Sequence, residues 1–474
     1  MIYMIFSSFV FLCIFLPIVL ILHQAIRNRK AQNGLLLAAS LLFYAYGEPV
    51  YVFLMLISAL LNDCFAKILV QRHSKGILAM SVVVNIGLLG VFKYTGFLVT
   101  NLNALFHLTL PVPQIALPIG ISFFTFQALS YVIDVYRGEV EAQKSYAKLL
   151  LYISFFPQLI AGPIVRYKDI ALQIDNRTTD LRRIAFGLRR FIVGLSKKVL
   201  ISNAMGAVAD YVFNHGTGEL NMLSAWIGAI AYLMQIYYDF SGYSDMAIGL
   251  GKIFGFRFKE NFHYPYMADS VQDFWRRWHI SLSTFFRDYV YIPLGGNRKG
   301  KLRTVLNRLI VFALTGLWHG ANWTFIVWGL FHGMFLLLEA FVPLLQKLPK
   351  LLRRIYTLLV VTVGFVVFRA DSLSEAVLFV GKMFAGFDFS AASMSFAIQA
   401  LTPHFLCMLL AAVVCCGPFE KLVNSTRVLE CKETLTAGEN RLQIASFALA
   451  LLFLLWCMLR LAGSSYNPFI YFRF

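Results

Sequence analysis

The feature that most constrains this chain is a succession of apolar runs, each near membrane-crossing length and separated by short basic turns. A helix needs about 20 apolar residues to cross a bilayer, somewhat fewer when short or tilted. Of 474 residues, 59% are hydrophobic and only 14% charged, with mean hydropathy +0.69. A soluble domain carries about 25% charged residues, and a soluble fold this apolar would have no surface to offer water. The chain therefore reads as an all-α polytopic membrane protein. Its net charge of +18 fits cytoplasmic loops rich in Lys and Arg. It does not point to nucleic acid, because no basic run is interleaved with an aromatic platform.

In chain order, Ile2–Leu22 is the first span, followed by the basic turn Arg27–Lys30. It lacks a basic n-region and a small-residue cleavage site, so it reads as a retained span and not as a signal peptide. Leu35–Tyr46 is a short run, and Val50–Val70 ends at the second basic turn, Arg72–Lys75. Both turns can be cytoplasmic, with the N-terminus outside. Ile77–Phe92 follows; Leu98–Pro118, broken by three prolines, reads as a surface loop or re-entrant piece. Ile119–Tyr136 and Leu149–Ile164 are apolar helices, the second interrupted by Pro157 and Gly162-Pro163. A proline in hydrocarbon frees a carbonyl that must find another partner, so such a break belongs inside protein or beside a cavity.

The segment Arg166–Lys198 is strongly basic. It satisfies the positive-inside rule and could also dock the phosphate of an anionic donor. After it come Val199–Phe213 and Leu223–Tyr238, the latter leading into Asp239-Phe240-Ser241-Gly242-Tyr243-Ser244-Asp245, polar groups at membrane depth. Leu351–Phe368, Phe396–Cys416 and Ile444–Leu461 bring the expected total to roughly 10–12 transmembrane or re-entrant helices. No repeat and no composition break appears, so one domain over 1–474 is expected, with a catalytic core at about 117–340. Six of the seven cysteines lie in apolar runs and Cys431 in a polar loop; no CxxC or metal-like spacing appears.

Gln272–Gly333 stands apart. Five of seven tryptophans and three of nine histidines fall here. Ionisable groups inside a membrane chain are costly and mark function. His319, in Leu317-Trp318-His319-Gly320-Ala321-Asn322-Trp323, follows the apolar run Leu309–Leu317. Desolvation should keep its ring neutral and able to accept a proton. Gly316 and Gly320 leave room for a substrate chain. At helical spacing Asn322 and Trp323 share the face of His319, and His332 points away. His279, in Trp275-Arg276-Arg277-Trp278-His279, sits in an amphipathic helix at the membrane boundary or in a re-entrant one. Either histidine alone could be a satisfied core residue. Haem ligation is disfavoured, because paired axial histidines are expected on well-formed helices that face each other, and Arg276 and Arg277 beside His279 do not argue for an iron site. No GxSxG, SxxK, P-loop or HExxH pattern occurs. A histidine base without an adjacent nucleophile fits direct transfer, in which it deprotonates a hydroxyl attacking a thioester.

The blocks LPIGISFFTFQALSYVIDVYRG, SFFPQLIAGPIVRYKDI, YYDFSGYSDMAIGLGKIFGF, ENFHYPYMADSVQDFWRRWHISLSTFFRDYVYIPLGGNR, TGLWHGANWTFIVWGLFHG and NPFIYFRF resemble the membrane-bound O-acyltransferase family, in its bacterial alginate O-acetylation branch. The resemblance implies helices enclosing a transmembrane tunnel, with a donor entering from the cytoplasm and an acceptor hydroxyl from the other side. The family's active-site histidine maps onto His319, the expected general base. Its upstream polar position maps onto His279, a supporting residue, with His332 a weaker candidate. Trp278, Trp318, Asn322 and Trp323 are expected to contact substrate. Neither metal nor bound cofactor is implied; acetyl-CoA or another acyl thioester would be the donor. The expected setting is the bacterial cytoplasmic membrane, and the expected partners an extracytoplasmic acetyltransferase and an exopolysaccharide such as alginate or cellulose. D-alanyl transfer to teichoic acid and lipid O-acylation are the alternatives within the family, and a polysaccharide scaffold or exporter the alternative outside enzymes.

Overall fold

A computed structural model describes residues 4–215, 220–417, 436–464 and 466–470. Cys431 and the last four residues of the NPFIYFRF block lie outside these. Among the described residues every regular element is helical. The chain forms two compact units, residues 1–191 with 246–259, and residues 192–245 with 260–474. Among the described residues, six helices are long and apolar enough to cross a membrane, or seven if the bent pair Ala391–Ala400 and Pro403–Cys415 is one span; Val10–Ala25 and Ile121–Tyr136 are shorter apolar helices. The chain is a multi-pass membrane protein.

In the first unit, α1 (Leu16–Ala25), α2 (Arg29–Gly47), α3 (Tyr51–Gln71), α4 (Lys75–Phe106) and α5 (Ile121–Tyr136) precede the short helices α6 (Tyr146–Ser154), α7 (Phe156–Leu159) and α8 (Tyr167–Asp175). Phe11, Phe15, Phe43 and Phe156 form an aromatic core with ring centroids 5.3–6.2 Å apart. Within it the chain breaks before Pro157, where Ser40 Oγ accepts from Phe156 N at 3.1 Å. That buried hydroxyl replaces part of the lost helical bonding, as a break in apolar surroundings requires. Asn62 and Asn85, both buried, exchange amide hydrogen bonds of 3.0 and 2.9 Å between α3 and α4.

One expectation is corrected here. Residues 98–106 are not loop: α4 continues to Phe106 over 32 residues, and only the proline-bearing 107–118 is non-helical. The helix ends in a left-handed cap at His107, ahead of the first proline, Pro111. Several cations of the basic stretch after Arg166 have structural partners. Arg166 pairs with Asp169 and Lys168 with Glu139 and Asp134. The buried Arg177 donates to the carbonyls of Ile174 and Phe254 at 2.8 and 3.0 Å.

The second unit holds α10 (Asn203–Asn214), α12 (Val271–Arg277), α13 (Ile280–Phe286), α14 (Lys301–His319), α15 (Trp323–Phe341), α16 (Leu344–Lys347), α17 (Lys350–Arg369), α18 (Leu373–Ala385), α19 (Ala391–Ala400), α20 (Pro403–Cys415) and α21 (Ala437–Gly463). The remaining helices, α9 (Leu181–Ser196) and α11 (Met222–Ile253), carry residues of both units. The polar groups of Asp239–Asp245 lie inside helical α11. A π-helical turn at Lys197–Ser202 lets adjacent lysines reach two of them: Lys198 pairs with fully buried Asp239 at 2.5 Å and Lys197 with Asp245 at 2.6 Å. Asp239 also accepts from Ile470 N at 2.8 Å, which anchors the C-terminal segment.

Candidate active site

The site is built on α14 and α15, an antiparallel pair joined by the three residues Gly320, Ala321 and Asn322. A Cβ on Gly316 would strike the carbonyl of Phe325, and one on Gly329 the carbonyl of Phe312. Backbone therefore packs on backbone between the helices, which only glycine permits. The room at Gly316 and Gly320 is filled by α15 and the Phe325 ring. It is not open to a substrate chain, contrary to the sequence expectation.

His319 is the last residue of α14. Gly320 is extended, and Asn322 caps α15 by accepting from Thr324 N at 3.1 Å. The helical spacing assumed across His319 thus fails, because two helices meet there and not one. Asn322 also donates to Asp371 O at 2.9 Å, and Trp323 is half exposed.

The walls around His319 are aromatic. Trp318, Trp328 and Phe368 approach it edge-on, with centroids at 5.0, 5.1 and 5.1 Å. His319 is 8% exposed, against 0% for His279 and His332, so it is the one of the three with any access. Trp318 stands between the two candidate histidines, its ring 6.0 Å from His279. Trp278, by contrast, is packed into core against Phe262 and Phe365.

His279 is not within a helix. It separates α12 from α13 in the left-handed region, at φ 44° and ψ 54°. Such a backbone costs about 1 kcal/mol or more in a residue bearing Cβ and persists where surroundings dictate it. Here the surroundings are Asn261, Phe240 and Phe262. Asn261 Oδ1 accepts from Ser281 N at 3.1 Å and Ser281 Oγ at 2.8 Å, which fixes the amide's orientation. The His279 Nδ1–H therefore donates to the same oxygen at 3.3 Å, and Nε2 keeps the lone pair. That Nε2 is buried and finds no hydrogen-bond partner. Burial lowers the ring's pKa to about 3, so it stays neutral at physiological pH. The arrangement is a desolvated proton acceptor with a set tautomer. Asn261 and Ser281 escaped the sequence reading; the fold brings Asn261 back across 18 residues, and nothing local marks it.

His332, fully buried, lies beyond Trp328 at 5.3 Å and beside Trp275 at 5.2 Å. Trp328 separates it from His319. Among the described residues no cluster of His, Cys, Asp and Glu could hold a metal ion.

His319 and His279 thus lie on either side of Trp318 in an aromatic box within a helical membrane protein. The family model for membrane-bound O-acyltransferases matches residues 122–373, and the chain belongs to that family. It is an acyltransferase enzyme. A Pseudomonas putida protein named probable alginate O-acetylase AlgI is 40% identical over 99% of this chain and 100% of its own length. A Helicobacter pylori peptidoglycan O-acetyltransferase is 37% identical over 79% of this chain and 78% of its own. A Bacillus subtilis teichoic acid D-alanyltransferase is 30% identical over 52% of this chain and 65% of its own.

Proposed function

We propose that the protein takes an acetyl group from a cytoplasmic thioester, such as acetyl-CoA, and passes it across the bacterial cytoplasmic membrane for O-acetylation of an exopolysaccharide of the alginate type. An extracytoplasmic acetyltransferase would be the partner that completes delivery to the polymer. His319 is the general base: its ring takes the proton from the acceptor hydroxyl as that oxygen attacks the thioester carbonyl. The C–S bond breaks, the thiolate leaves, and the proton on His319 neutralises it. His279 orients or shares the proton through its free Nε2.

The observation that carries this reading is the aromatic box that holds His319 next to Trp318 and His279. Acetyl over D-alanyl is favoured because the acetylating relatives align along 79–99% of the chain and the alanylating one along 52%. Removing a general base costs about 10²–10⁴ in rate. His319→Ala, at matched membrane levels, should therefore abolish the acetyl signal in NMR of secreted polysaccharide. His279→Ala should lower it less. Unchanged polymer acetylation in His319→Ala would refute the assignment, and the reverse ranking would exchange the two roles.

A further inference from the structure

Two adjoining cavities open at the end of α14, α15 and α17 remote from His319. The larger, about 560 Å³, is lined by Arg276, Arg277, Lys350 and Arg354 with Asp269 and Asp273. The smaller, about 260 Å³, shares Asp269 and adds Arg308, Arg353, Tyr356 and Glu339. Six cations thus face three carboxylates, and the carboxylates are already committed. Asp273 holds Arg277 at 2.9 Å and Asp269 holds Arg353 at 2.9 Å. Glu339 accepts from Val271 N and Gln272 N at 2.6 and 3.0 Å.

The groups left over are all donors. Nε of Arg353, Nε of Arg354 and the hydroxyl of Tyr356 are buried without a hydrogen-bond partner. A buried donor left unmade is expensive, the more so when it is charged. Lys350, Arg353 and Arg354 also sit at the start of α17, which has no acidic residue in its first turn. The helix dipole there favours an anion and opposes cations. The arrangement is stable once an acceptor-only anion with several oxygens lies among them, and guanidinium groups match phosphate in this way.

We propose that these cavities bind a phosphate ester. On the acetyl-transfer reading, it is the phosphate of the soluble thioester donor. The short helix α12 carries Arg276 and Arg277 into the cavity and, one and two residues later, Trp278 and His279 into the core. Recognition of the donor's charged end is thereby tied in sequence to the candidate active site.

The test is a binding measurement without turnover, so its outcome is independent of whether acetyl transfer itself is correct. The full chain in neutral detergent is titrated with 4′-phosphopantetheine and with pantetheine, which differ only in the phosphate. The wild type should bind the phosphorylated probe about tenfold more tightly, one charge-assisted contact being worth that factor. The preference should vanish in Arg354→Met and in Arg276→Met, with pantetheine binding unchanged. Arg276 is exposed, so its variant keeps the measurement valid if Arg354→Met fails to fold. Nanodiscs of phosphatidylglycerol and phosphatidylcholine separate the second source. A lipid phosphate would raise the wild-type Tm in phosphatidylglycerol, but not that of the variants, while the soluble probes bind alike. Overturning the proposal requires that neither the soluble phosphate nor the lipid distinguish wild type from Arg354→Met and Arg276→Met.

Discussion

His279 spends stability twice, in a left-handed backbone and in a buried ring nitrogen with no partner. Both are repaid only if the ring is needed neutral and aimed. Its pKa lies near 3 in the folded protein, against an ordinary value of 6.5. As pH falls below 6.5 the unfolded chain takes up a proton that the folded chain refuses until about pH 3. The unfolded state therefore binds more protons in that window, and stability falls with pH. Thermal unfolding at pH 7.5 and 5.5 should show a drop in Tm for the wild type. In His279→Gln part of that drop should be missing. Equal drops in both proteins would mean that His279 is charged in the fold.

The α14–α15 pair is a structural element whose glycines are set by backbone contact. At Gly329 an added methyl meets the Phe312 carbonyl, which cannot move without its helix; at Gly333 it meets only side-chain carbons of Phe312 and Leu309 at 3.3 and 3.4 Å. Overpacking of a tight contact costs about 1–3 kcal/mol. Gly329→Ala should accordingly lower Tm in detergent and the folded yield, while Gly333→Ala should leave both near wild type. Similar losses in the two variants would remove the distinction. The same element shows what could be read in advance. Apolar runs and the dense Trp/His stretch marked the spans and the site region, because burial and desolvation act on composition. The break after His319 was missed, although Asn322 before an apolar run is an N-cap signal. The glycines of GLWHG were read as substrate space because a contact with Phe325 is made across the turn and leaves no local pattern. Asn261, the orienting partner of His279, was out of reach for the same reason.

Across the second unit, charge is sorted by helix end. The starts of α14 and α17 and the segment after α15 carry Lys301, Arg303, Lys347, Lys350, Arg353 and Arg354. The opposite ends carry His319, Asn322, the Asp371–Glu375 turn and a single arginine, Arg369, which is paired with Asp210. Lys and Arg concentrate on the cytoplasmic side, so the basic end is expected to face the cytoplasm, with His319 toward the outer end of its helix. This orientation matches a donor arriving at the cationic cavities and a hydroxyl arriving from outside. It also fixes a test that needs no activity. A single cysteine is placed at exposed Lys347 or at exposed Ser374 in a chain whose native cysteines are replaced. An impermeant maleimide should label Ser374→Cys in spheroplasts with intact membranes and Lys347→Cys only in inverted vesicles. The opposite pattern would put the cationic cavities outside the cell, where no acyl thioester pool exists for them to meet. It would then remove the donor assignment while leaving the chemistry at His319 intact.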